Sequence, residues 1–210
     1  MLALATIQQS ASTAFAGKNG KIAFYANGLH DDDAEIYMMN PRGARPEQLT
    51  NNTVQDYDPS WSSDGSRVAF WRPRANTNEI FVKNVTDGRL AKLTRSNDSW
   101  SDTSPSWSPN GEKLATVCDN LADGRREVCV MNADGSGRKR LTTNSLHEGM
   151  VVWSPDASKI AFDTYTNEND IFVMNSDGTN PRNLTNTSEP LILERDPTWS
   201  PDGTRIAFDR

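Results

Sequence analysis

The sequence predicts an all-β fold assembled from repeated units, and three observations lead to this prediction. A phrase centred on Trp recurs every 46 residues, and a second phrase alternates with it. The apolar runs between them are short, rich in Val, Ile, Phe and Trp, and separated by Gly, Pro, Asp and Asn, which is typical of strands and not of helices. The central residues of the first phrase are Trp61, Trp107, Trp153 and Trp199.

Each unit contains two half-phrases. In the first, an aliphatic residue follows seven positions after the Trp, as in "TWSPDGTRIAF" near the C-terminus. One further period back, Phe15 and Ile22 occupy the same two positions, so five copies are present. The second half-phrase follows four of these copies and ends on a Leu-Thr pair. It begins at Glu35, Glu79, Glu127 and Asp170.

Four strands fit in each 46-residue unit, and we name them a to d. Strand a carries the Trp, strand b the "IAF" run, strand c the second half-phrase and strand d the Leu-Thr pair. Residues 200–203 (SPDG) suit a tight turn between a and b, because Pro fixes φ and Gly accepts a positive φ. Four antiparallel strands per unit of this length predict the blades of a β-propeller.

The units begin near residues 15, 61, 107, 153 and 199, which makes four full blades and half of a fifth. We expect an open arc of a larger propeller. The alternative is a closed four-blade ring, in which the last two strands complete the first blade, but that ring leaves the first "KIAFY" strand without a place.

Two segments carry expectations of their own. Residues 1–16 contain no Lys or Arg and are interpreted as a signal-peptide remnant or a disordered N-terminus, so that the repeats cover residues 17–210. Cys118 and Cys129 flank one hairpin. Their spacing fits neither a zinc site nor a redox CxxC motif. We predict two unpaired thiols packed as small apolar groups, and a cross-strand disulfide is the alternative.

The repeated phrase, "DPxWSPDGxxIAF" followed by "EIYVMN" and Leu-Thr, resembles the TolB-type propeller repeat over about residues 17–210. The resemblance implies a six- or seven-bladed propeller, usually extracytoplasmic, that serves as a protein-interaction scaffold or gates a serine peptidase. The sequence holds no match to the α/β domain that precedes the propeller in TolB, so a Tol–Pal role is not implied. It contains no GxSxG motif and two His, which argues against a hydrolase triad.

Alternating strand directions place the b–c and d–a loops on one face, which we call the variable face. Its eight loops hold 19 Asp and Glu against 6 Arg, a net charge of −13, whereas the remaining residues carry +7. Function concentrates on loops held by a rigid scaffold, so this acidic face is the predicted binding face. Its candidate binding residues are Asp31, Asp32, Asp33, Tyr57 and Trp100. The four repeated Trp residues are predicted to be structural and buried between blades.

These features predict a non-catalytic extracytoplasmic scaffold that recognises a protein or a glycan. The alternative is the regulatory propeller of a serine peptidase whose catalytic domain lies elsewhere. The net charge of −6 argues against nucleic acid as a partner, and the longest apolar run is too short to span a membrane. Exposed blade edges would permit self-association.

An acid stands five residues before each Trp, and the four acids are predicted to ring the channel mouth. Carboxylates gathered in this way without His suit Ca²⁺, the one candidate cofactor, and Asp58 and Asp196 would add oxygens. The alternative is that each acid accepts hydrogen bonds within its own loop. The four acids are Asp56, Asp102, Glu148 and Glu194.

Overall fold

The computed structural model describes residues 20–27, 33–43, 46–94, 100–165, 169–186 and 193–210, which form strands and turns without a helix. The strands build a series of antiparallel sheets, each one a blade. This confirms the predicted all-β propeller architecture and its four-stranded blades. Residues 1–16, Asp31 and Asp32 lie outside the described residues.

The described strands are assigned to blades in chain order. The first blade contains β1 (Ile22–Asn27), β2 (Ala34–Met39) and β3 (Glu47–Gln48). The second contains β4 (Tyr57–Trp61), β5 (Arg67–Arg74), β6 (Thr77–Asn84) and β7 (Leu90–Lys92). The third contains β8 (Trp100–Trp107), β9 (Lys113–Asn120), β10 (Arg125–Asn132) and β11 (Lys139–Arg140). The fourth contains β12 (Glu148–Trp153), β13 (Lys159–Thr164), β14 (Ile171–Asn175) and β15 (Arg182–Asn183), and the last sheet contains β16 (Arg195–Trp199) and β17 (Ile206–Asp209).

The repeated turn between strands a and b is closed by its own side chains. In the second blade, Gly65 donates its N–H to the carbonyl of Ser62 at 2.9 Å, with φ of 67° at the glycine. The Ser62 hydroxyl donates to Asp64 and accepts the N–H of Arg67, so one hydroxyl ties both ends of the turn. The Ser62 hydrogen bond and the Ser66 N–H lower the pKa of Asp64 to about 2.

The Leu-Thr pair at the end of strand d also has a structural reason. In four blades the Thr hydroxyl oxygen accepts the backbone N–H of the residue that follows the strand-c acid, at 2.8–3.1 Å. The short outer strand therefore gains a side-chain bond where its backbone ladder ends. The four Thr residues are Thr50, Thr94, Thr142 and Thr185.

Each innermost strand contains a bulge, seen as a register shift just before the Trp. Asp58, Ser104 and Asp196 lie in these bulges with φ of 49°, 51° and 53°. Asp tolerates this left-handed conformation better than most residues, and a bulge changes the direction in which the neighbouring side chains point. The bulges thereby direct residues of the innermost strands toward the variable face.

The repeated Trp residues lie between blades. Trp107 packs with Ala69 and Val82 of the preceding blade, and it is fully buried. Trp153 and Trp199 are buried in the equivalent way, whereas Trp61 is half-buried against the first blade, of which three strands are described. Burial of these rings joins neighbouring blades through apolar contact.

Cys118 and Cys129 form a disulfide between β9 and β10, with their Cα atoms 5.8 Å apart. The prediction of two unpaired thiols is therefore wrong. The strand register explains the difference. Cys118 lies opposite Glu127 and Cys129 opposite Thr116, so the two Cys residues are diagonal neighbours across one strand pair. Their Cα separation lies within the range that a disulfide spans.

Among the described residues, no helix is long and apolar enough to cross a bilayer.

Candidate functional site

The four acids of the predicted ring are buried at the places where successive blades meet, with at most 2% of each residue exposed. We call each such place a junction. One blade contributes the acid that begins strand c and the Thr of strand d. The next blade contributes its strand-a acid and the strand-b residue opposite that acid. The junctions in order are Glu35, Thr50, Asp56 and Arg72; Glu79, Thr94, Asp102 and Cys118; Glu127, Thr142, Glu148 and Thr164; and Asp170, Thr185, Glu194 and Arg210.

At the first junction one carboxylate is paired with a cation, and one amide bonds both carboxylates. Arg72 donates from Nε and Nη2 to the two oxygens of Asp56 at 2.6 and 2.9 Å. Asn52 donates from Nδ2 to both Glu35 and Asp56. The buried charge of Asp56 is thus matched by a bidentate guanidinium, the geometry that best repays desolvation.

The second and fourth junctions also contain cations. Lys92 and Arg74 contact Glu79 at 3.0 and 3.3 Å, and Arg138 donates to Asp102 at 2.7 Å. Burial nonetheless raises the pKa of Asp102 to about 6, against the effect of the Arg138 charge. At the fourth junction, Arg210 lies 3.7 Å from Glu194.

The third junction differs from the others. Glu127 and Glu148 are both fully buried, and the strand-b residue opposite Glu148 is Thr164 instead of an arginine. Asn144 donates to Oε1 of Glu148 at 2.8 Å. Burial raises the pKa of Glu148 to about 7, against the Asn144 hydrogen bond and with a further contribution from the negative charge of Glu127.

The structure distributes the four predicted acids over four junctions instead of collecting them in one group. In the described part of the chain, no three His, Cys, Asp or Glu side chains come together as metal ligands. This geometry gives the predicted four-acid calcium site no support, because each acid meets its own junction partners.

A pocket of about 420 Å³ opens between the innermost parts of the second, third and fourth blades, and we call it the mouth pocket. Bulge residues and the ends of strands b and c line it together. The described lining residues are Asp58, Trp71, Asn78, Thr103, Ser104, Asp119, Arg126, Met150 and Tyr165.

Aromatic side chains form one side of the mouth pocket. Tyr57 stacks on Trp71 with ring centroids 4.6 Å apart, and Tyr25 meets Tyr57 edge-on at 5.2 Å. The Trp71 indole N–H donates to Asp58 at 2.8 Å, which fixes both the ring and the carboxylate. Rigid aromatic surface of this kind suits a ligand that carries a cation or an apolar face.

Carboxylates form the other side. Arg126 pairs with Asp119 at 3.1 Å, and its guanidinium lies 5.2 Å from the ring of Tyr165. Burial raises the pKa of Asp119 against the charge of Arg126, and burial likewise raises the pKa of Asp58. Next to the pocket, burial raises the pKa of Asp163 to about 6, although this carboxylate accepts the N–H of Asp196 at 2.9 Å. Burial disfavours the ionised form of these carboxylates, so a positively charged group bound beside them would stabilise that form.

Tyr57 does not itself line the mouth pocket but contacts its lining by stacking on Trp71. Burial raises the pKa of Tyr57, and the charges of Asp58 and Asp33 add to this shift. Trp100 lies at the start of β8, beneath the guanidinium groups of Arg138 and Arg140 at 5.0 and 5.8 Å, and it does not line the mouth pocket.

Sequence reasoning missed Trp71, Asp119, Arg126 and Tyr165 as members of the pocket. Three of these four follow the "IAF" run of their own blades at positions where the repeat stops being regular. A residue that departs from the repeat at these positions was the sequence feature that could have indicated a functional role.

No protein-family model matches this chain. The TolB homolog of Chlorobium chlorochromatii (strain CaD3) is 33% identical over 142 residues, which is 68% of this chain and 30% of that protein. The crystal structure of TolB from Acinetobacter baumannii superposes with a TM-score of 0.77 at 19% identity, covering 91% of this chain and 47% of that one.

An oligogalacturonate lyase from Vibrio parahaemolyticus superposes with a TM-score of 0.69 at 14% identity, covering 98% of this chain and 60% of the lyase. At this identity the likeness shows the fold alone. The residues aligned with the TolB homologues span between 26% and 30% of the length of those proteins. The repeated phrase, the blades and these TolB-named relatives together support a TolB-like β-propeller for this chain.

Proposed function

We propose that this chain is a non-catalytic binding scaffold that works outside the cytoplasm and holds a basic segment of a protein partner in the mouth pocket. The observation that carries the proposal is the pocket itself, where stacked aromatic rings lie beside partly buried carboxylates on the acidic variable face. Lysine and arginine side chains combine with both kinds of surface.

Two observations support the location. A disulfide between buried Cys residues is typical of an oxidising compartment, and the relatives include a Tol-Pal system protein TolB from Desulfosudis oleivorans. The same fold carries a lyase, so the fold does not decide between binding and catalysis. The proposal of a scaffold therefore rests on the TolB relatives and on the chemistry of the pocket.

The binding proposal is tested with a random peptide library displayed on phage and panned on the purified protein. We expect the selected peptides to be rich in Lys or Arg. Their affinity should fall with salt, because exposed charges are screened. It should rise from pH 5 to pH 7, because Asp163 next to the pocket, with its pKa raised by burial to about 6, ionises over that range.

Asp58→Asn is expected to weaken the selected peptides at least about tenfold, the effect of roughly 1.4 kcal/mol. The matched control is Asp87→Asn, an exposed acid in a c–d turn on the opposite face, which should leave affinity unchanged. Equal loss of affinity in both variants would refute the mouth pocket as the site.

Hits on a glycan array, without any selected peptide, would mean that the partner is a glycan and not a protein. A sequenced gene that continues into a GxSxG domain would favour the peptidase-gating alternative.

A further inference from the structure

The third junction contains two buried carboxylates for which the described structure provides no cation. Glu127 and Glu148 each have no exposed surface. Within the part of the chain that the structure describes, neither oxygen of Glu127 has a hydrogen-bond partner within 3.5 Å, and the same holds for Oε2 of Glu148, although the nearby Thr142 hydroxyl contributes to lowering the pKa of Glu148. Among the described residues, no Lys or Arg forms an ion pair with either group. A buried carboxylate without compensation is costly, so a native fold ordinarily supplies a partner.

The repeat shows what occupies this position elsewhere. The residue across the strand pair from the strand-a acid is Arg72 at the first junction and Arg210 at the fourth, each paired with its acid. At the second junction it is Cys118, and Arg138 from the third blade pairs with the acid instead. At the third junction it is Thr164, and its hydroxyl is engaged with the backbone of Asp170. The same fold thus provides a positive charge at three junctions and omits it at one.

From this comparison we propose that the third junction binds a divalent cation of the calcium type, held by the carboxylates of Glu127 and Glu148. Two carboxylates balance the charge of one such ion, and hard oxygen ligands without His or Cys select Ca²⁺ over zinc. The Glu148 side chain is already oriented by Asn144, which leaves Oε2 for the ion. This site is distinct from a ring of four strand-a acids, because it joins a strand-c acid to a strand-a acid within one junction.

The ion would serve the role that Arg72 serves at the first junction. There a single amide, from Asn52, bonds the strand-c and the strand-a acid, which places the two carboxyl groups within reach of one small partner. Asn144 stands at the position equivalent to Asn52, four residues before the strand-a acid in each case. A cation here would tie the third blade to the fourth.

The test is calorimetry and thermal unfolding of chelator-treated protein with added CaCl₂. For wild-type protein we expect one equivalent of Ca²⁺ to bind. At about tenfold excess over Kd, we expect a rise in Tm of roughly 3–6 °C. Glu127→Gln removes one ligand and should abolish this response. Thr164→Arg supplies the missing guanidinium and should also abolish it, while raising the Tm of the calcium-free protein. Glu35→Gln, the same position at a junction that has its arginine, is the matched control and should keep the full response.

Three results would overturn the proposal. Absence of heat and of any Tm shift from wild-type protein with Ca²⁺, Mg²⁺ and Mn²⁺ would mean that a shared proton, not a metal, holds the carboxyl pair. A calcium response that survives Glu127→Gln would place the ion elsewhere. Loss of the response in Glu35→Gln would show that general destabilisation, and not a ligand, is being measured. If Thr164→Arg does not fold, the comparison of Glu127→Gln with Glu35→Gln still decides the question.

Discussion

Replacement of Arg72 by Met is expected to destabilise the protein strongly, because the change leaves a buried carboxylate without its cation. Arg72 is 11% exposed and Asp56 is fully buried, and their two bonds of 2.6 and 2.9 Å form a bidentate pair. After the change Asp56 keeps one side-chain bond, from Asn52 at 3.0 Å. Removal of one partner of a buried pair costs about 3–5 kcal/mol. For a chain of this length that corresponds to a Tm lower by roughly 6–20 °C.

The measurement is urea unfolding followed by Trp fluorescence, with Arg74→Met as the matched control. Arg74 lies two residues further along the same strand, is 52% exposed, and contacts a carboxylate that Lys92 also holds. The control should therefore lose less than about 1 kcal/mol of unfolding free energy. The double variant Asp56→Asn/Arg72→Met should be more stable than Arg72→Met alone, because it removes the unpaired charge.

An Arg72→Met variant that unfolds at the same urea concentration as Arg74→Met would refute this reasoning. It would mean that the Asp56 carboxylate finds compensation that the described contacts do not include. A double variant that is less stable than Arg72→Met would likewise refute it, because removal of the unpaired charge of Asp56 would then bring no gain in stability, and the contact of the Arg72 guanidinium with the Phe81 ring, 4.6 Å away, would be the alternative source of the loss.

Three further predictions concern other parts of the fold. Reduction of the disulfide between Cys118 and Cys129 should cost about 3 kcal/mol for a loop of 11 residues, and an unchanged Tm with reductant would contradict its presence in solution. The pKa of Asp163 is raised in the folded state to about 6, so the folded state holds this proton longer and the unfolding free energy should fall as pH rises from about 4 to 6. Asp163→Asn should remove up to about 3 kcal/mol of that fall, as urea titrations at pH 4 and pH 7 would show, and identical pH profiles would exclude the effect. Ala157 has φ of 60° at the turn position where the other blades have Gly. Ala157→Gly should therefore relieve backbone strain of about 1 kcal/mol, partly offset by the greater entropy of the unfolded chain. A lower Tm of this variant would mean that the contacts of the methyl group outweigh the strain.

The acids show where sequence reasoning succeeded and where it stopped. Their 46-residue spacing correctly placed Asp56, Asp102, Glu148 and Glu194 at equivalent points of successive blades, because equivalent sequence positions in a repeat take equivalent places in the fold. It did not show which cation each acid meets. That depends on strand-b and strand-d residues that differ between blades, such as Arg72 and Thr164.

The sequence by itself determined the period, the four strands of a blade, the tight turn between strands a and b and the Trp between blades. Those features depend on local turn chemistry and on the alternation of buried and exposed positions. Both patterns recur in every repeat of the sequence. The disulfide, the partner of each buried acid and the mouth pocket were decided only by the tertiary structure. Strand register brings Cys118 beside Cys129, and bulges at Asp58 and Ser104 direct irregular strand ends toward a common pocket. These contacts join residues from different strands and different blades, so no pattern along the chain records them.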